Sequence, residues 1–240
     1  HQILKKARTW GLIQSNPTEA VELPREKEFE AKTWTMDEML QFLEAAKDDR
    51  YFIAFHLACF TGMRQGEILG LRWQDVDFEN KRLYVRQALI STKGQGYILA
   101  DVKTESSRRA IAVSDETIEL LQSHRAKQAQ ERLRKGPEWQ DFDLVVATQN
   151  GTPVSPRNLM RSFYRIMEKA KVPKIRFHDI RHTHATHLLQ LGNDLKITSA
   201  RLGHSSINIT ADLYSHVTAD MQEVAVSLLE EAVKKKRKTP

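Results

Sequence analysis

The sequence predicts a mainly α domain with a small antiparallel β-sheet (α+β). Three observations carry this reading. Apolar residues recur at helical spacing on both sides of a central stretch. Residues 75 to 113 switch instead to period two, with turn residues between the apolar pairs. Capping signals mark where several of the helices begin.

The elements follow in order. Residues 1 to 23 have a helical pattern that stops at Asn16-Pro17, and Pro24 follows. Residues 24 to 32, PREKEFEAK, are charged, lack apolar periodicity and read as a linker. Thr35 with Glu38 forms a T-x-x-E capping box, and Met36, Met39, Leu40 and Leu43 give the helix behind it an apolar face. The apolar run Y-F-I-A-F-H-L-A-C-F predicts a second helix, with Gly62 as its C-cap and Arg64 opening a further short helix. Period two then pairs Val76 with Phe78, Leu83 with Val85 and Ile111 with Val113, with Ile98 and Val102 between. Asn80-Lys81, Gly94-Gln95-Gly96 and Glu105-Ser106-Ser107 supply the turns. Helix returns from Ser114 to about Arg134. Ser155-Pro156 opens another, with Leu159, Phe163 and Ile166 inward. Met221, Val224, Ala225, Leu228 and Ala232 form a last apolar stripe, which fits packing on its own domain or on a neighbouring protomer.

Composition narrows the class only a little. A chain of 240 residues, 40% hydrophobic and 28% charged, can bury a sizeable core. It has no apolar run of membrane-spanning length and no secretory signal. The single cysteine, Cys59, excludes an internal disulfide, fits a reducing compartment and reads as a core residue. The net charge of +6 suggests an anionic partner, but Lys234, Lys235, Lys236, Arg237 and Lys238 supply five of those charges. The body is therefore close to neutral, and any nucleic-acid surface must come from segregating charge onto one face. The chain opens at His1 rather than Met, which reads as a fragment of a longer protein.

The residues that carry chemistry run from His178 to Tyr214: H-D-I-R-H-T, then R-L-G-H, then A-D-L-Y-S-H. A helix turns about 100° per residue, so His178 and Arg181 share a face if this stretch is helical. Upstream, T-G-M-R-Q-G-E-I contributes Arg64 and Glu67, and V-K-T-E-S-S-R-R contributes Lys103. Guanidinium forks suit phosphate oxygens, imidazoles carry protons, and a phenol becomes a nucleophile once its proton is taken. Each residue alone has a plainer reading: Tyr214 as a half-buried aromatic, the arginines as structural ion pairs. His178, His182, His184 and His187 fall within ten residues, but a helix would set the last two opposite the first two. With no nearby cysteine and no zincin glutamate, we expect no metal site.

Taken together and in order, Arg64 with Glu67, Lys103, His178 with Arg181, His204 in L-G-H, and Tyr214 resemble the tyrosine recombinase (phage integrase) family over roughly residues 33 to 220. The resemblance implies the tyrosine recombinase catalytic-domain fold for 33–220. It implies the closing part of a core-binding, DNA-binding domain in 1–23, a linker in 24–32, and a C-terminal helix and basic tail in 221–240. It implies site-specific cleavage and rejoining of double-stranded DNA through a 3′-phosphotyrosyl link, with no metal and no nucleotide cofactor. Tyr214 would be the nucleophile, Arg64 and Arg181 the phosphate clamp, Lys103 the general acid, His178 the proton acceptor and His204 a donor to the phosphate. The residues themselves do not rank the two histidines.

Further expectations come with the resemblance. Glu67 would orient Arg64, Arg108 and Arg109 would contact phosphates of the DNA backbone, and His182 would pack under the site. His184 stands where the family often has a larger apolar residue, a departure expected to affect packing only. The implied setting is a homo-tetramer on DNA in the bacterial cytoplasm, associated with the nucleoid, with room for accessory DNA-bending or directionality proteins and no membrane. Two other readings stay open: a type IB topoisomerase, which uses the same chemistry to relax DNA, and a non-catalytic DNA-binding module.

Overall fold

A computed structural model of the chain describes residues 2–21, 32–92, 94, 96–102, 108–204, 206–207 and 211. Two compact units divide it, His1–Glu30 and Ala31–Pro240. In the first, α1 (Gln2–Thr9) is followed by a short 3-10 turn, Pro17–Glu19, which Asn16 caps by accepting from the Thr18 amide. Arg8 and Glu19 close this unit with an ion pair of 2.7 Å.

The second unit contains α2 (Met36–Ala46), α3 (Phe52–Thr61) and α4 (Gln65–Leu69), followed, among the described residues, by five short strands. The strands are β1 (Val76–Asp77), β2 (Arg82–Val85), β3 (Gln87–Thr92), β4 (Gly96–Asp101) and β5 (Arg109–Ala112). Then come α5 (Asp115–Lys135), α6 (Pro156–Ala170), α7 (Phe177–Gln190) and α8 (Leu195–Leu202). The mainly α architecture with small antiparallel sheets is the one expected.

The capping box of α2 is present: Thr35 accepts from the Glu38 amide, and Glu38 accepts from the Thr35 amide at 2.8 Å. The buried face of α2 differs from expectation. Met39, Phe42, Leu43 and Ala46 face inward, whereas Met36 and Leu40 are exposed. The i, i+3, i+4, i+7 stripe from Met39 sets the face, and Leu40 lies about 100° around from its start. Phe42 joins Trp34, Phe55, Phe163 and Phe177 in an aromatic core, with Phe42 and Phe163 rings 5.3 Å apart and Phe163 and Phe177 rings 5.4 Å apart. This core joins α2, α3, α6 and α7. Trp34 also ties the start of the unit to α7, its amide donating to Thr183 Oγ1 at 3.1 Å.

One antiparallel sheet was expected; among the described residues there are two, of order β1-β2-β5 and β3-β4. The chain runs almost without interruption from β2 into β3 but changes partner at Arg86. Val85 pairs with Arg109, and Gln87 pairs with Asp101. Lys103 and the expected Glu105-Ser106-Ser107 turn fall among residues 103–107, outside the described residues, as do Tyr214 and the stripe from Met221 to Ala232.

Gly62 decides how α3 meets α7 and α8. It caps α3 in the left-handed region, φ 64°. A Cβ there would lie 2.6 Å from Leu202 Cδ2 and 2.7 Å from His184 Cδ2. Gly62→Ala combines a left-handed alanine with an overlap, and should cost about 3 kcal/mol. Urea unfolding checks this; an unchanged midpoint would contradict the packing described.

Candidate functional site

The site forms where α3, α4, α7, α8 and β5 meet. Local sequence positions each contributor. Gly62 ends α3, and Arg64 occupies the N-cap of α4, its amide donating to Glu67 Oε2 at 2.9 Å. Arg176 and Asp179 close a capping box at the start of α7, which fixes the register of His178, Arg181 and His182. Gly203, φ 68°, ends α8 in a Schellman turn: the Gly203 amide donates to Ala200 and the His204 amide to Ser199.

Three consecutive carbonyls at that turn each accept from a different arginine. Arg109 Nε donates to the Arg201 carbonyl at 2.7 Å, Arg181 Nη2 to Leu202 at 2.7 Å, and Arg64 Nη2 to Gly203 at 3.0 Å. These are helix-end carbonyls, which lack intrahelical donors and carry the negative end of the helix dipole. Arg181 also donates through Nη1 to Gly62 at 2.8 Å, so it bridges the ends of α3 and α8. Arg201 sends its own guanidinium to the carbonyls of Ala112 (3.0 Å) and Phe60 (2.9 Å).

Glu67 is the carboxylate that Arg64 and Arg109 share. Arg64 Nη1 reaches Oε1 at 2.8 Å, while Arg109 spans both oxygens at 3.1 and 2.8 Å. Burial alone would raise the Glu67 carboxyl, but the bonds and charge of Arg109, then those of Arg64, bring it below its usual range. Arg181 is 3% exposed. Burial lowers its pKa to about 9, Arg64 and Arg109 push the same way, and Glu67 opposes them. Three guanidinium groups around the single carboxylate of Glu67 leave a net positive charge, an environment that favours an anion.

The imidazoles respond to the same field. His204 is held down to about 4 by burial and then by Arg181, Arg64, His182 and His178. His178 is also lowered, by burial, His182 and Arg181, and its ring meets that of His182 edge to face at 5.0 Å. Both are neutral at pH 7, and a neutral imidazole can donate one proton and accept another. Arg64, His178, Arg181 and His204 are thus brought together. Among the described residues no group of three His, Cys, Asp or Glu side chains is arranged to hold a metal ion.

Two expectations need correcting. Arg109 is not an exposed backbone contact: its side chain is 7% exposed and committed to Glu67. The alternation of β5 could have shown this, since Arg109 lies two residues before the buried Ile111 and so on the same face. His184 does more than pack. Its Nδ1 lies 2.9 Å from the Cys59 carbonyl, and its Nε2 accepts from Arg201 Nε at 3.2 Å. Burial and the neighbouring Arg201 hold it neutral, down to about 3. Arg201, directly before L-G-H, was not singled out from sequence, and only the fold brings it to three other elements. Cys59 is buried, and burial pushes its thiol pKa up.

A pH dependence of stability follows. His56 and His204 at about 4, His184 at about 3, and the lowered His124, His178 and His182 all favour the neutral form when folded. Below about pH 6.5 the unfolded chain takes up protons that the folded chain refuses, so stability falls with pH. Between pH 6.5 and 5 this loss comes mainly from histidine, since lowered carboxylates such as Glu67 are lost only further down. Urea midpoints should therefore drop from pH 7 to pH 5, and His184→Gln should show a smaller drop. A flat or rising midpoint would contradict these assignments.

Comparison with known proteins places the sequence and the fold. The sequence profile of the phage integrase family matches residues 32–221. A tyrosine recombinase XerC-like protein of Caldanaerobacter subterraneus subsp. tengcongensis is 37% identical over 236 residues, covering 91% of this chain and 60% of that protein. The ICEBs1 integrase of Bacillus subtilis (strain 168) is 28% identical, covering 92% and 60%. The chain thus spans about three-fifths of the length of these relatives. The Tn1549 transposon integrase, solved in complex with transposon right end DNA, superposes with a TM-score of 0.74 at 25% identity, covering 91% of this chain and 72% of that one. With its fold, its clustered arginines and histidines, and a profile match across most of its length, the chain belongs to the phage integrase family.

Proposed function

We propose that this chain is the catalytic part of a site-specific DNA recombinase of a phage or another mobile element. The observation that carries the reading is the cationic cluster, in which Arg64, Arg109 and Arg181 converge on one turn with Glu67 among them. A phosphodiester is an anion of the size and geometry that guanidinium forks bind. Relatives named as integrases and a neighbour solved on transposon DNA support double-stranded DNA as its source.

In this mechanism Tyr214 attacks the scissile phosphorus while its proton passes to the neutral His178. Arg64 and Arg181 hold the non-bridging oxygens, where negative charge builds in the transition state. His204 donates to the same phosphate. Lys103 gives a proton to the departing 5′ oxygen. The product is a 3′-phosphotyrosyl link and a free 5′ hydroxyl, and attack by a second 5′ hydroxyl rejoins the strand with no loss of bond energy. Exchange between two duplexes calls for four protomers on DNA, working in the bacterial cytoplasm at the nucleoid. Residues 1–23 act in this scheme as the end of a core-binding domain, 24–32 as a linker, and 221–240 as a docking helix and basic tail.

Covalent capture tests the nucleophile. Incubated with nicked duplexes from a randomised pool and no divalent metal, the protein should retain DNA through denaturation. Tyr214→Phe should bind the pool equally and retain none. An undiminished adduct in that variant would remove Tyr214 from the mechanism.

Lys103 is tested on duplexes recovered from that capture. With sulfur replacing the bridging 5′ oxygen, the leaving group departs without a proton, so a general acid becomes dispensable. Lys103→Ala should cleave the oxygen substrate slowly and the sulfur substrate nearly as fast as the parent, whereas Arg64→Ala should stay slow on both. Equal rescue of the two variants would make Lys103 a positioning residue.

A further inference from the structure

We infer that Arg109 is a positioning residue that keeps Arg64 charged toward its ligand by neutralising Glu67 from behind. The inference rests on the proposed role of Arg64 as a phosphate clamp and assigns the group that makes that role electrostatically workable.

Glu67 orients Arg64 through two bonds, one to the guanidinium and one to the amide. Orientation by a carboxylate has a cost: a buried Glu67 beside Arg64 alone would leave the pair with no net charge to offer an anion. Arg109 changes this. Its fork covers both Glu67 oxygens from the interior, with its side chain 7% exposed, while the side chain of Arg64 is 38% exposed. The three groups together carry one positive charge, and the more exposed of the two arginines presents it. Bidentate pairing also fixes the plane of the carboxylate, and with it the direction of Arg64.

Arg109 has a second hold on the site. Through Nε it fastens the first residue of β5 to the carbonyl just before Leu202, Gly203 and His204. The segment carrying Lys103 runs directly into β5. One side chain thus joins the strand after that segment, the carboxylate behind Arg64 and the turn that presents His204.

Charge compensation and simple structural support make different predictions in a double-mutant cycle. Single-turnover cleavage of a nicked duplex is compared for the parent, Arg109→Gln, Arg109→Lys, Glu67→Gln and the double variant Arg109→Gln/Glu67→Gln. DNA affinity and thermal unfolding are followed alongside. Arg109→Gln leaves Glu67 uncompensated and should cleave at least about tenfold more slowly, a coupling of ordinary size for contacting charges. Arg109→Lys restores the charge and should recover most of the loss. The double variant should cleave faster than Arg109→Gln, because the offending carboxylate is gone. Parent-like cleavage by Arg109→Gln would overturn the inference, as would a double variant no faster than Arg109→Gln. Should Arg109→Gln fail to fold, Arg109→Lys and the double variant decide: both must outpace Arg64→Ala, and a rate as low as that variant's would overturn it.

A second reading needs no cleavage. Inorganic phosphate is titrated into the protein labelled with 15N-arginine, and the Arg64 side-chain signals are followed. They should move in the parent and in Arg109→Lys and stay still in Arg109→Gln. If the parent makes no covalent adduct, the proposed mechanism fails, while the titration still judges Arg109. Movement in Arg109→Gln equal to the parent's would overturn the inference, and no movement in the parent would remove Arg64 as the anion clamp on which it rests.

Discussion

The structure depends on how α8 ends. Its last carbonyls, on Arg201, Leu202 and Gly203, are taken by Arg109, Arg181 and Arg64, which come from β5, α7 and the N-cap of α4. Helix ends carry unpaired acceptors by necessity, and most are satisfied by water or by a local cap. Here the amide side of the turn is closed locally by the Schellman bonds to Ser199 and Ala200, while the carbonyl side is closed by three distant cations. Each arginine thus serves two ends. It holds the fold together through a carbonyl, and its placement converges with that of the others because the carbonyls are consecutive.

That arrangement has an electrostatic consequence. Backbone carbonyls satisfy donors without neutralising charge. Arg181 is buried on two of them, and its pKa is lowered to about 9 first by that burial and then by Arg64, with Glu67 opposing and Arg109 adding. Replacing the carbonyls by carboxylates would give a more stable cluster and a worse anion site. Glu67 is the compromise: one carboxylate, nearly fully buried, set where two arginines can share it.

Much of this was legible in the sequence, and the parts that were not share a cause. The capping box at Thr35, the glycine stop at Gly62, the inward face of α6 and the helical placement of His178 with Arg181 all follow from periodicity and caps, which are local properties. The change of strand partner at Arg86 is not local, and it split the expected sheet in two. The role of His184 was hidden for the same reason: its ring is fixed by Cys59 and Arg201, 125 and 17 residues away in sequence. Arg109 is the intermediate case. The burial of its side chain could be read from alternation with Ile111, but its partner Glu67 lies 42 residues away and could not. Basic residues in a chain expected to bind DNA invite the assumption that they face DNA; the buried, bidentate pairing of Arg109 with Glu67 is what marks it as a supporting group.

The histidines complete the argument. Burial first, and then the neighbouring Arg181 and Arg64, hold His204 down to about 4, and burial, His182 and Arg181 lower His178 as well. Both rings are therefore neutral at physiological pH, the form in which an imidazole can accept a proton. An anion seated among Arg64 and Arg181 cancels part of the same field and raises the affinity of both rings for protons. Proton uptake at the imidazoles is thereby tied to occupancy of the anion site. Before the anion arrives, the rings are kept deprotonated; once it is in place, the penalty for charging them falls. The cations that make an anion welcome also add to burial in keeping the neighbouring imidazoles neutral, and they are held in place by the carbonyls at the end of α8 and by the single carboxylate of Glu67.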